Sequence, residues 1–187
     1  MRSPEGELCP AIVMELYHGD LNTLAANGLD PDRFRKYLRD IVQGLIFVHS
    51  KRIIMRDLKP QNVLYHKEKD RCVLTDFGIS KFHAEEQPGR ESTAFFVDMA
   101  QDGCEGSDQD MTPIYGAVLD AHAHNVTPKS DLWCLAQTAY HMWTGKPPRS
   151  NPATLPEDMP CVDILRQCLL QEPDARPTAR QVLAALG

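Results

Sequence analysis

Apolar residues at Phe34, Leu38, Ile41, Leu45 and Val48 recur three and four apart, the spacing of one helix face. Asp30 offers a side-chain acceptor just ahead of Pro31, so the pattern predicts a core helix opening there and running to about His49. The period then changes. Val63-Leu64-Tyr65 and Cys72-Val73-Leu74-Thr75 are short apolar runs around a charged tip from His66 to Arg71, which predicts two strands joined by a turn. Ala11 to Leu16 reads as a further apolar strand followed by the turn His18-Gly19-Asp20; taken alone, it is a plain edge strand.

Downstream, Ser130 to Thr144 carries Leu132, Trp133, Leu135, Ala136, Ala139, Tyr140 and Trp143. Apolar on most faces, it predicts a buried central helix, capped by Ser130 or Asp131 and stopped by Gly145-Lys146-Pro147-Pro148. A proline-rich connector reaches Val162, where Val162, Leu165, Cys168 and Leu169 predict a short helix. Thr178 opens the last one, with Gln181 three residues on as a capping box. Between Lys81 and Met111 the periodicity stops; a loop of this length is usually functional or unstructured. The fold class is α+β, mainly α with a small β hairpin.

A chain of 187 residues suits one domain whose core buries about 70% of the unfolded surface. The net charge of −6 argues against a general nucleic-acid binder. No apolar run reaches membrane-span length, and MRSPEGELCP has no signal-peptide core, so a cytoplasmic or nuclear location is expected. Six cysteines form no CxxC pair, and several sit inside apolar runs, which predicts buried free thiols. His122 and His124 lack cysteine or carboxylate at ligand spacing and read as surface residues rather than metal ligands.

Closing the hairpin brings together Asp57, Lys59 and Asn62, just before its first strand, and Asp76, just after its second. Asn62 and Asp76 are hard oxygen donors of the kind Mg²⁺ takes beside waters and phosphates. Asp57 is then free to orient a hydroxyl, and Lys59 to neutralise charge on a transferring phosphoryl group.

Met55-Arg56-Asp57-Leu58, three residues, Asn62 and then Asp76-Phe77-Gly78 resemble the catalytic and magnesium loops of protein kinases. The resemblance runs from about Ile12 to Leu186 and covers the family's large, C-terminal lobe. It implies a serine/threonine protein kinase using ATP and Mg²⁺ on protein substrates, with Asp57, Lys59 and Thr112 catalytic. Asn62 and Asp76 would be the metal ligands. Met14 would be the gatekeeper, the backbone from Glu15 to Tyr17 would bind adenine, and Asp20 would sit near the ribose. Leu64, Lys59, Asn62 and Asp76 complete the cofactor-binding set. Residues 1–187 divide, on this likeness, into a hinge strand at 11–17, a helical lobe at 18–187 and an activation segment at about 76–120. Thr112-Pro113-Ile114-Tyr115 is similar to a substrate-positioning loop, its Thr112 hydroxyl bridging Asp57 and Lys59, and Asp131 would hold the catalytic-loop backbone.

The chain also departs from the family. Met55 stands where histidine is usual and forfeits that residue's hydrogen bond. Ala117-Val118-Leu119-Asp120 replaces an expected Ala-Pro-Glu, leaving Asp120 as the nearest partner for Arg176. Arg56 implies an anion from the activation segment, Asp108 or a phosphorylated Ser107. Pro148 to Val162 shortens or lacks a docking helix. Nothing before Ala11 supplies a glycine-rich phosphate loop, its strand lysine or the helix glutamate, so the small lobe is expected to be largely absent. Hence a second class stays open: an impaired kinase-like module that scaffolds a regulatory partner, or a fragment.

Overall fold

A computed structural model describes residues 13–82, 112–117 and 126–187. Strand β1 is Gly19–Asp20, helix α1 Leu21–Leu24, helix α2 Pro31–Ser50 and strand β2 Ile53–Ile54. A 3-10 turn, Pro60–Asn62, leads into the hairpin β3, Val63–His66, and β4, Arg71–Leu74, followed by β5, Lys81–Phe82. The helices α3, Pro128–Thr144, α4, Val162–Cys168, and α5, Ala179–Ala185, complete the lobe.

Helix α2 starts where its sequence dictates. The Asp30 carboxylate accepts from the N–H groups of Asp32 (3.1 Å) and Arg33 (3.0 Å), satisfying two of the donors that a helix start leaves open. Its stripe of Phe34, Tyr37, Leu38, Ile41, Val42 and Leu45 is fully buried and shares one core with Leu132, Leu135, Ala139 and Met142 of α3. The hairpin is bolted to the flank of α2. Tyr37 donates its hydroxyl to Asp70 (2.6 Å), and Asp40 accepts the Cys72 N–H (2.9 Å). A side chain at Gly44 would meet Leu74 at 3.0 Å, so the hairpin lies close on the helix there.

Helix α3 begins earlier than its apolar run suggests. Thr127 is the cap, its hydroxyl accepting from Lys129 N–H (3.2 Å) while Ser130 Oγ accepts from Thr127 N–H (3.1 Å). Pro128 explains the shift, because proline suits the first helical position and places the cap before it. Asp131, expected as an alternative cap, is thereby freed for an interior role. The short helix and the Thr178–Gln181 capping box stand where the sequence puts them.

The sheet is where expectation and structure part. Residues 13–17 form no strand, and Val13 and Leu16 are exposed. A strand needs a ladder partner, and among the described residues the chain first gains one at His18, whose N–H reaches Tyr65 O (2.9 Å). The turn expected at Gly19-Asp20 is instead β1, antiparallel to β3 in the register Gly19 with Tyr65 and Asp20 with Leu64. Strand β3 is thus central in a β1-β3-β4 sheet, and β2 pairs separately with β5. Cys72, Cys134 and Cys168 are buried free thiols, as the sequence implied; burial pushes Cys72 and Cys168 up to about 12.

Two glycines fix how the loop after α1 meets the end of α3. Gly145, at φ +70°, caps α3, and a Cβ there would lie 2.6 Å from Gly28 N and 2.7 Å from Ala26 O. Gly28, at φ +77°, would in turn meet Trp143 O at 2.4 Å. Both contacts are with backbone, which cannot swing aside. Gly145→Ala is therefore expected to cost more than about 2 kcal/mol, read as a lowered thermal midpoint, through backbone strain and a clash together. An unchanged midpoint would refute the close approach.

Candidate active site

The loop between β2 and the 3-10 turn is hung from the interior of the lobe. Asp131 is completely buried, yet its carboxylate is fully used: Oδ2 accepts from Met55 N–H (2.9 Å) and lies 2.8 Å from His49 Nε2, and Oδ1 accepts from Arg56 N–H (2.8 Å). Thr138 donates to Leu58 O (3.2 Å) two turns further along α3. Fastened on both sides of Asp57, the loop holds Arg56 in the left-handed region at φ +69°. Non-glycine residues persist there only where surroundings over-determine the backbone. Met55 is fully buried and fills its gap as an apolar side chain.

Asp57 leaves this loop into a cluster of four side chains. Lys59 Nζ donates to Asp57 Oδ2 (2.6 Å) and to Thr112 Oγ1 (2.7 Å), while Thr112 N–H donates to Asp57 Oδ1 (3.2 Å). Asn62 Nδ2 donates to Asp57 O (2.8 Å) and to Asp57 Oδ2 (3.0 Å). Its amide nitrogen is so committed, which leaves the side-chain oxygen as the group Asn62 could offer a cation. Thr75 N–H donates to Asn62 O (3.0 Å), so the open end of the hairpin pairs Asn62 with Thr75, the residue before Asp76. Asp76, at φ +58°, is exposed and accepts from Gly78 N–H (3.3 Å). One amide oxygen and one carboxylate form a donor set that suits Mg²⁺ completed by waters and phosphate oxygens.

Of the other expected residues, Asp20 and Leu64 are brought together by the β1–β3 register, and Asp20 also caps α1 through Thr23 N–H (2.7 Å). Met14, Glu15 and Tyr17 lie in the unpaired segment that enters β1, with the Tyr17 hydroxyl donating to Glu15 (3.2 Å). The Glu15 side chain runs to the hairpin tip, where Lys69 holds its carboxyl below the usual carboxylate range. Ser107, Asp108, Asp120, His122 and His124 lie outside the described residues. So does most of the expected activation segment.

Asp120, the expected partner of Arg176, lies outside the described residues, while Arg176 has partners among them. Buried at 2% exposure, it donates to Leu170 O (2.7 Å), Gln171 O (3.0 Å) and Lys129 O (3.4 Å), and its guanidinium lies 4.9 Å from the centre of the Trp133 ring. Carbonyls and an aromatic face therefore take up part of its donor capacity.

The connector after α3 supplies residues that no motif announced. Asn151 accepts from Trp133 Nε1 (2.8 Å) and Gln137 Nε2 (2.9 Å) and donates to Pro113 O (2.6 Å) and Gly116 O (2.8 Å). Gln137 Nε2 also reaches Ile114 O (2.9 Å), while Ala153 N–H binds its oxygen (2.8 Å). The Tyr115 hydroxyl lies 2.7 Å from His141 Nδ1, and burial holds this imidazole below its ordinary value. The loop that presents Thr112 to Asp57 is thus clamped from α3 and from the connector. His49, Gln137 and Asn151 were missed because a lone polar residue in a helix or a proline-rich stretch carries no local signal; a polar residue inside an otherwise apolar helix face is the trace that Gln137 left.

The family described as "Protein kinase domain" matches residues 5–186. The chain is 30% identical to mitogen-activated protein kinase kinase kinase 17 of Arabidopsis thaliana, over 97% of this chain and 50% of that protein. Serine/threonine-protein kinase PkaA of Streptomyces coelicolor is 30% identical over 97% of this chain and 34% of its own length. Serine/threonine-protein kinase Sgk1 of Bos taurus is 34% identical over 84% and 32%. The chain belongs to the protein kinase domain family. It spans half or less of the length of these relatives.

Asp131→Asn is expected to cost at least about 2 kcal/mol, because an amide NH₂ then faces a backbone N–H at Met55 or Arg56 in the interior. Chemical denaturation checks it, and equal stability would show that the carboxylate is not the anchor. Asn151→Asp preserves shape but sets a carboxylate oxygen against two carbonyls. Faster hydrogen exchange is expected at the Tyr115 and Gly116 amides, both of which donate to Thr112 O in the native loop.

Proposed function

We propose that this chain is the catalytic lobe of a serine/threonine protein kinase, moving the γ-phosphoryl group of ATP to a hydroxyl of a protein substrate. The observation that carries the reading is the cluster of Asp57, Lys59, Asn62 and Thr112 on a loop fixed from beneath by Asp131. The family and the names of two relatives support the same class.

Asp57 would accept the proton of the substrate hydroxyl as its oxygen bonds to phosphorus and the bond from phosphorus to the ADP oxygen breaks. Lys59, already poised between Asp57 and Thr112, would neutralise charge on the transferring group. Thr112 would hold the substrate loop against Asp57, which suits an alcohol of serine or threonine. Asn62 and Asp76 would hold Mg²⁺, which supplies charge neutralisation between the phosphates. The segment from Met14 to Tyr17, with Asp20 and Leu64 behind it, would receive the nucleoside. No helix among the described residues is long and apolar enough to cross a membrane; a cytoplasmic or nuclear site of action is part of the same proposal, as is a regulatory partner protein.

Mg·ATP is expected to raise the thermal midpoint of the chain, with the rise growing as ligand exceeds its dissociation constant. Asp76→Asn should abolish most of that rise. Asp57→Asn should keep it while phosphate transfer to a serine or threonine peptide falls by at least about a hundredfold, the scale of a lost general base. No rise in the unaltered chain, or transfer that survives Asp57→Asn, would overturn the proposal.

A further inference from the structure

At the hairpin tip, away from the Asp57 cluster, two imidazoles converge on one carboxylate. His18 Nε2 lies 3.0 Å from Glu68 Oε1, and His66 Nδ1 lies 3.2 Å from Glu68 Oε2. The three donor atoms fall within 4.8 Å of one another. We propose that His18, His66 and Glu68 form a binding site for a divalent transition-metal ion of the zinc class, stapling the segment before β1 to the β3–β4 hairpin.

Two observations favour an ion over simple ion pairs. The ligands are pre-positioned by backbone already hydrogen-bonded: His18 N–H is tied to Tyr65 O, and His66 ends β3 opposite Arg71. His66 also faces a second carboxylate with its far nitrogen, Nε2 being 3.4 Å from Glu15 Oε1. A metal-bound imidazole characteristically turns its remaining N–H to an outer carboxylate of this sort, which fixes its tautomer and raises its basicity. His66 is buried while the Glu68 side chain is 66% exposed, so the site has a fixed wall and an open side for water. Imidazole nitrogens with one carboxylate suit zinc and its neighbours rather than Mg²⁺, which takes oxygen donors.

The charges around the site are accounted for. Lys69 and Arg71 face Glu15 rather than Glu68. His18 Nδ1 accepts from Lys67 N–H (3.2 Å) in the metal-free arrangement. Ligation at Nε2 moves the His18 ring proton to Nδ1, and ligation at His66 Nδ1 displaces the Lys69 N–H that lies 3.4 Å from it, so both amides pass to water. The staple would join the backbone of Glu15 to Tyr17 to the hairpin whose other end carries Asn62.

The test is titration of the whole chain with Zn²⁺, by calorimetry and thermal shift, and with Co²⁺, by visible absorption. The expected result is uptake of a single zinc ion with a raised midpoint. The cobalt bands should be those of nitrogen and oxygen ligands, without the thiolate charge transfer that cysteine ligation would give. Glu68→Gln and His18→Ala, both at exposed side chains, should abolish the uptake, and Glu15→Gln should weaken it about tenfold by removing the outer carboxylate. Absence of zinc binding, uptake unchanged in Glu68→Gln and His18→Ala, or a thiolate spectrum would each overturn the assignment. None of these outcomes depends on kinase activity, so the site stands or falls apart from the proposed function.

Discussion

A buried carboxylate decides the shape of the candidate site. Asp131 sits with no solvent access inside the central helix, where an unpaired charge would cost several kcal/mol. It is tolerated because two backbone N–H groups and one imidazole converge on it. The dependence runs both ways. Asp131 needs those donors, and the loop of Met55 to Leu58 needs Asp131, since the loop's left-handed residue and its turn away from β2 leave amides that no strand or helix takes up. Everything chemical, from Asp57 outward, is positioned relative to that exchange.

A second tier of contacts orients the partner loop. Residues 112–117 have little regular structure, and their carbonyls are satisfied from outside by Asn151 and Gln137. The connector that replaces an expected docking helix therefore has a structural task of its own. Arg176 shows the same economy. Three carbonyls and the face of Trp133 receive it in the interior.

The long elements were legible because their signals are local. A five-member apolar stripe and an Asp-Pro start mark α2, and a Thr–Gln capping box marks α5; neither depends on distant residues. Asp57, Lys59, Asn62 and Thr112 were legible through motif order, and their side chains meet. What sequence could not supply was anything defined by a distant partner. Strand β1 is a strand because β3 lies alongside it, and residues 13–17, apolar apart from Glu15, form no strand for want of such a neighbour among the described residues. Asn151 is a clamp because four groups from two distant parts of the chain reach it. The cap of α3 was read three residues late because hydrophobicity begins inside the helix, after Pro128.

The attachment of the hairpin to α2 has a mechanical consequence. Asp70 on Tyr37, Asp40 on Cys72 and the close approach of Gly44 to Leu74 weld β3 and β4 to the longest helix of the lobe. Asn62 and Asp76 therefore ride at the end of a stiff lever anchored deep in the core, and cannot drift apart without bending it. The segment ahead of His18 has no such ladder among the described residues, and side chains such as Glu15, reaching Lys69 and His66, tie it to the hairpin.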